Sequence, residues 1–275
     1  MTKLKLDGGE MSYILKFVPF NNSVQFAGVG MAGNIMIILN ELLSISDGSR
    51  VYVEMNDYEN ISGSEKNINH WSLYFDQIDK PSESTIIELK PPRPTNIIYK
   101  HNYSNSDKIM VRANKSFFNN FKVNSKIEDK INEFYNTNIK GIETLSCQIR
   151  LGDMVKNHNT ASIDMYLNKI KKILTEKPTI KQIFLATDDE TAVTYLQETL
   201  KIPILYQNNV YRTSSKNIWE RLSNERANHR YRLCEEVIID TFLLGKCDYF
   251  LRAHVSAVST VATVFADKTT RMYYM

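Results

Sequence analysis

Arg150 closes the run Cys147-Gln148-Ile149-Arg150, which reads as the end of a strand, and Leu151-Gly152-Asp153 follow it. A guanidinium at a strand's carboxyl end points into the crevice where open α/β sheets bind ligands, and its planar fork holds a diphosphate through two parallel hydrogen bonds. A salt bridge, for instance to Asp153, is the competing use of that charge. Further on, Thr187-Asp188-Asp189-Glu190 has the form of a capping box, with Asp189 in a first helical turn where anions are favoured. The acidic run 188–190 also invites a metal ion, but no neighbouring carboxylates complete a ligand set. Asp240 falls on the helical stripe Leu233, Val237, Asp240, Leu244. A carboxylate on an apolar stripe is costly unless it is hydrogen-bonded, so either a buried partner satisfies it or it faces a ligand. A purine base offering two N–H groups suits it. Leu251 to Ser256 runs from a strand into a helix, where Ser256 caps the helix and leaves amides for a phosphate.

A second candidate site lies earlier. Gly28-Val29-Gly30-Met31-Ala32-Gly33 fits GxGxxG between a strand and a helix, and Glu54 closes the next strand, 21 residues beyond Gly33. That is the dinucleotide fingerprint with its acidic ribose partner. The plainer alternative is a tight strand-to-helix turn that binds nothing, and Asn34 directly after the third glycine is atypical of the fingerprint.

The elements that must position these residues follow from hydrophobic spacing. In the first half it predicts strands over 12–20, 23–28 and 50–54, a helix over 34–45, a polar loop over 56–68 and a helix over 126–135. The run Lys90-Pro91-Pro92-Arg93-Pro94 excludes a helix interior, residues 100–126 are polar and Asn-rich and give no element, and 136–141 read as a link. The second half alternates regularly. Strands are predicted over 143–150, 181–186, 202–206, 248–252 and 270–274, and helices over 162–176, 189–200, 231–246 and 256–266. Such alternation implies parallel sheets covered on both faces.

Composition excludes other classes. The chain has 275 residues, 43% hydrophobic and 24% charged, which are ordinary globular values. Thirty-four cations against 31 anions leave a net charge of +3, too balanced to argue for a nucleic-acid partner. The longest apolar run, Ile35 to Leu39, is far short of a membrane span, and Lys3, Lys5, Asp7 and Glu10 interrupt any leader-like stretch. Cys147, Cys234 and Cys247 form no CxxC pair. A cytoplasmic protein without a transmembrane anchor is expected, in which the sequon Asn102-Tyr103-Ser104 carries no meaning.

Taken in order, Arg150 with Asp153, Leu185-Ala186-Thr187-Asp188-Asp189, Val237-Ile238-Ile239-Asp240 and the strand leading to Ser256 resemble the superfamily of α1,6-fucosyltransferases, nodulation fucosyltransferases and protein O-fucosyltransferases. Gly30 with Gly33-Asn34 is similar to the superfamily's Gly-x-Gly-Asn turn, and Trp71 to Asp76 to its Trp-x-x-Tyr-Phe segment. The resemblance covers 143–266 well and the earlier part in patches. It implies an α/β protein of GT-B-like architecture: two Rossmann-like domains with mostly parallel sheets facing a cleft, 1–140 on the acceptor side and 141–275 binding the nucleotide-sugar donor. It implies inverting transfer of fucose from GDP-fucose to a glycan or protein hydroxyl, without metal or other cofactor. Arg150 would hold the β-phosphate, Asp240 read guanine, Ser256 contact phosphate, Asp188 and Asp189 shape the donor site, and Asn34 face the cleft. The superfamily's His before the arginine and second arginine after it are replaced by Gln148 and Leu151. Gln148 can hydrogen-bond a base edge; Leu151 holds no charge. For the base that takes the acceptor's proton, His158 lies near the expected place and Asp153 is the next candidate. Two alternatives stand beside this one: an NAD-dependent oxidoreductase built on residues 28–33, which leaves Arg150, Asp240 and Ser256 without a task, and a non-catalytic nucleotide- or glycan-binding relative.

Overall fold

The structure, a computed structural model, describes residues 11–18, 30–56, 68–89, 106–151, 161–212, 226–253 and 256–275. The first half runs β1 (Ser12–Phe17), α1 (Met31–Ser44), β2 (Arg50–Glu54), a short 3-10 turn (His70–Leu73), β3 (Phe75–Gln77), β4 (Thr85–Leu89), α2 (Lys108–Asn120), β5 (Phe121–Val123) and α3 (Ser125–Asn138). Strand β1 lies between β2 and β4 and is parallel to both, while β3 and β5 form a small antiparallel pair. Helix α1 begins at Met31, so Gly33 and Asn34 lie inside its first turn, not in the turn before it. Helix α2 is absent from the sequence expectation. Its lysines and asparagines mask a narrow stripe, Met110, Ala113 and Phe117, which is all that it buries. The expected strand over 23–28, most of the loop over 56–68 and the run 90–94 lie outside the described residues.

The second half runs β6 (Thr144–Ile149), α4 (Ile163–Glu176), β7 (Gln182–Thr187), α5 (Glu190–Thr199), β8 (Ile204–Leu205), α6 (His229–Lys246), β9 (Tyr249–Arg252), α7 (Ala257–Phe265) and β10 (Arg271–Tyr274). All five strands are parallel, in the order β8-β7-β6-β9-β10. This is a doubly wound order that reverses between β6 and β9, the place where such sheets open a ligand crevice. Every residue of β6 and β7 is buried, as expected for strands covered on both faces. The mixed α/β fold with mostly parallel sheets is the class that the sequence predicts.

One apolar cluster fills the face of this sheet under α6 and α7 and continues across residue 141 into β1, α1 and α2. A second fills the opposite face under α4 and α5. The Trp-x-x-Tyr-Phe segment belongs to the first cluster. Trp71 stacks on Phe75 at 4.3 Å between ring centroids and meets Phe121 edge-on, while Tyr74 stacks on Tyr231 of α6. Through Tyr74 and Tyr231 this packing joins the two halves.

Helix α6 packs against α1, α3 and α7 and against β6 and β7, and Arg232 is its one exposed side chain among those described. Its approach to the end of α7 depends on Gly245. A Cβ there would lie 2.9 Å from Ala266 Cα and 3.0 Å from the Ala262 carbonyl oxygen, both backbone atoms. Gly245→Ala therefore overpacks a rigid junction and is expected to cost about 1–3 kcal/mol. Denaturant unfolding reads the loss directly; an unchanged midpoint would mean that α6 and α7 separate without cost.

Candidate functional site

The carboxyl ends of β6 and β7 bring Arg150 and Asp188 together. The Arg150 guanidinium pairs with Asp188 Oδ2, and Asp188 Oδ1 accepts from the Leu151 amide at 3.3 Å. Strand pairing sets this meeting, because Ile149 lies opposite Thr187 in the ladder. Asp188 on the neighbouring strand is thus a partner of the arginine; Asp153 and His158 both lie outside the described residues. The Arg150 side chain keeps 24% exposure against 10% for Asp188, so the charge is fixed from beneath and reachable from the crevice.

At the point of reversal, Gln148 and the start of α7 form a closed hydrogen-bonded seam. Gln148 Oε1 accepts from Ser259 Oγ at 2.8 Å, and Ser259 Oγ accepts from the Ala253 amide at 2.9 Å. Ser256 caps α7 by accepting from the Ser259 amide at 3.4 Å. Gln148 is buried, and its Oε1 is engaged in this seam. Asp189 likewise has a local task. It is the N-cap of α5 and accepts from the Thr191 amide at 2.7 Å and the Ala192 amide at 3.3 Å. The expected Thr187 cap fails because Thr187 still belongs to β7, which shifts the cap two residues on. Asn34 is fully buried in the first turn of α1.

Asp240 is buried, and its hydrogen-bond donor is Gln207, whose Nε2 lies 2.6 Å from Oδ1. Gln207 just follows β8, and its carbonyl accepts from Arg212 Nη1 at 3.0 Å. Arg212 stands over the Tyr206 ring, 5.2 Å from its centroid. One turn before Asp240 on the same helix, Glu236 pairs with Arg226 and accepts from the Tyr211 amide at 3.4 Å. Burial pushes the Asp240 carboxyl up from 3.8 to about 7; the Gln207 hydrogen bond and the Arg212 charge oppose the rise, and the Glu236 charge adds to it. Gln207, Arg212, Arg226 and Glu236 are absent from the sequence expectation. Two of them had a signal: Gln207 just follows a strand's carboxyl end, and Glu236 is a second carboxylate four positions before Asp240.

The first-half candidate looks different. Glu54 is buried at the end of β2 and pairs with Lys80 and, at 3.4 Å, with Lys16. The Lys80 hydrogen bond leads in holding its carboxyl below the usual range. The acid expected to meet a ribose is therefore already engaged by two ammonium groups. No cluster of three or more His, Cys, Asp or Glu suited to a metal occurs among the described residues. Among those residues no helix is long and apolar enough to cross a membrane.

No family model matches the chain, and no curated protein matches it. Its fold is similar to solved structures of NodZ. With NodZ alpha-1,6-fucosyltransferase co-crystallized with GDP it shares 14% identity and a TM-score of 0.59, covering 94% of this chain and 93% of that one. With fucosyltransferase NodZ from Bradyrhizobium the values are 13% and 0.56, covering 94% of each chain. With NodZ alpha-1,6-fucosyltransferase soaked with GDP-fucose they are 13% and 0.55, covering 94% and 93%.

The Asp240 environment has a measurable consequence. Its raised carboxyl means that the folded chain binds more protons than the unfolded one between pH 3.8 and about 7. Stability contributed by this group is full below that window, falls as pH rises through it and is flat above. Asp240→Asn removes the charge and keeps an oxygen for Gln207. Melting curves should show the variant gaining on the wild type from pH 5 to pH 8; a constant difference would mean that Asp240 is ionised throughout.

Proposed function

We propose that this chain, which has the fold of the fucosyltransferases, is an inverting glycosyltransferase that passes fucose from GDP-fucose to a hydroxyl of a glycan or protein. The observation that carries the reading is Arg150, fixed by Asp188 at the carboxyl end of β6, beside the point where the strand order reverses. As the sugar bond breaks, negative charge builds on the β-phosphate of the leaving GDP. A cation already fixed at that position stabilises the charge without reorganising. Asp188 is the positioning residue, holding the guanidinium plane so that its outer face meets the phosphate. The first turn of α7, capped by Ser256, adds backbone amides and the positive end of a helix dipole beside the same crevice. Asp240 accepts the two N–H groups of guanine, a role that requires its charged form.

Arg150, Asp188, Asp240 and Ser256 all come from 141–275, which supports assigning that half to the donor and 1–140 to the acceptor. Inversion follows when the acceptor hydroxyl attacks from the side opposite the leaving diphosphate in a single displacement. For the base that takes its proton, His158 and then Asp153 remain the residues to substitute. Arg150 takes the part a divalent ion would otherwise play, so the proposal includes metal-independent transfer.

Nucleotide binding separates this reading from the oxidoreductase one. At 100 times the dissociation constant a ligand stabilises by about 2.7 kcal/mol. Melting curves should shift with GDP and GDP-fucose, equally in EDTA and in magnesium, and not with NAD. A shift with NAD and none with GDP would replace the donor reading; a GDP shift abolished by EDTA would remove metal independence.

Arg150→Ala should lower fucose transfer by about 10²–10³-fold. It should also lower the melting temperature, because Asp188 loses its cation, so the rate must be taken on folded protein. Arg150→Lys keeps the charge but not the fork and should recover stability more fully than rate. Transfer at the wild-type rate by Arg150→Ala would put the reacting phosphate elsewhere.

A further inference from the structure

We infer that Arg212 reads the base in the proposed donor site, its guanidinium edge taking O6 and N7 of a guanine whose N1–H and 2-amino group face Asp240. This deepens the guanine-nucleotide reading above and depends on it. Arg212 is held on two sides. Nη1 donates to the Gln207 carbonyl at 3.0 Å, and the guanidinium carbon lies 5.2 Å from the Tyr206 ring centroid. Its other two donor atoms, Nε and Nη2, are buried and have no hydrogen-bond partner among the described residues. These two atoms form one edge of the guanidinium, the edge that donates two parallel bonds to a pair of acceptors. Leaving such donors buried and unpaired is unfavourable, and a ligand with two adjacent acceptors removes the cost.

The carboxylate beside it calls for the opposite pattern. In the charged form that the donor reading requires, Asp240 offers acceptors only, and the Gln207 amide occupies its Oδ1 at 2.6 Å as a base N–H would. Gln207 thus couples the two charged groups, its side chain on Asp240 and its carbonyl on Arg212. A planar ligand that satisfies both must carry two adjacent acceptors and two adjacent donors around one ring system. Guanine does, with N7 and O6 on one edge and N1–H and the 2-amino group on the next. Adenine has an amino group where O6 would be and no N1–H, so it presents a donor to Arg212 and an acceptor to Asp240. Uracil has no second acceptor in the position of N7.

The test compares GDP with 7-deaza-GDP, in which C–H replaces N7 and every other polar atom is kept, by titration calorimetry on the full chain. On the wild type the analogue should bind about tenfold more weakly. With Arg212→Met and Arg212→Ala, GDP should weaken and the two nucleotides should become equal. With Asp240→Asn both should weaken and the ratio between them should persist. Equal binding of the two by the wild type overturns the assignment of Arg212 while leaving the donor site intact, as does a ratio that survives in Arg212→Met. Should Arg212→Ala fail to fold, the wild-type ratio and the Met variant decide. No binding of GDP by the wild type overturns the donor reading itself and this assignment with it.

Discussion

Helix α6 has almost no solvent face yet carries three carboxylates, and the second half of the molecule is arranged around that constraint. Each buried charge needs a partner, since an isolated one costs several kcal/mol. Glu235 takes Lys130 of α3 at 2.8 Å, Glu236 takes Arg226 just before the helix, and Asp240 takes Gln207 beyond β8. The first pairing ties the helix to the chain's first half. The other two tie it to the loops at the carboxyl edge of the sheet. The same helix packs its apolar side chains against α1 and α7, with Gly245 removing the side chain that would hold them apart. A helix held this firmly is a rigid floor for the crevice above it.

That rigidity bears on the chemistry. A fixed cation stabilises developing charge because it need not reorient as the bond breaks, and Arg150 is fixed by a carboxylate on the adjacent strand. The seam from Gln148 through Ser259 to Ala253 ties the start of α7 to β6. In the proposed donor site, charge recognition and base recognition fall to different strand ends of one sheet, the phosphate to β6, β7 and β9 and the base to β8 and α6.

Much of the second half was legible because its strands and helices alternate with clear periods of two and 3.6 residues, and because a parallel sheet fixes where ligands sit before any side chain is seen. Asp240 was legible for the same reason: a carboxylate on an apolar stripe demands a partner. The identity of partners was not. Asp188 meets Arg150 only because β6 and β7 are neighbours in register, which no local pattern encodes. Nor does any local pattern show that Asp189 caps a helix and that Gln148 Oε1 joins a buried seam. Helix α2 was hidden by polar composition over a three-residue stripe, and Arg212 by standing seven residues beyond the end of β8.

On the proposed function a nucleoside diphosphate sits at the carboxyl edge of the five-stranded sheet and not at the glycine-rich run 28–33. Amide hydrogen exchange with and without GDP locates the ligand without presupposing the reaction. Slower exchange at 149–151, 187–189 and 256–260, with 30–36 and 53–56 unchanged, is the predicted result. Protection confined to 30–36 and 53–56, with the five-stranded sheet unaffected, would contradict it.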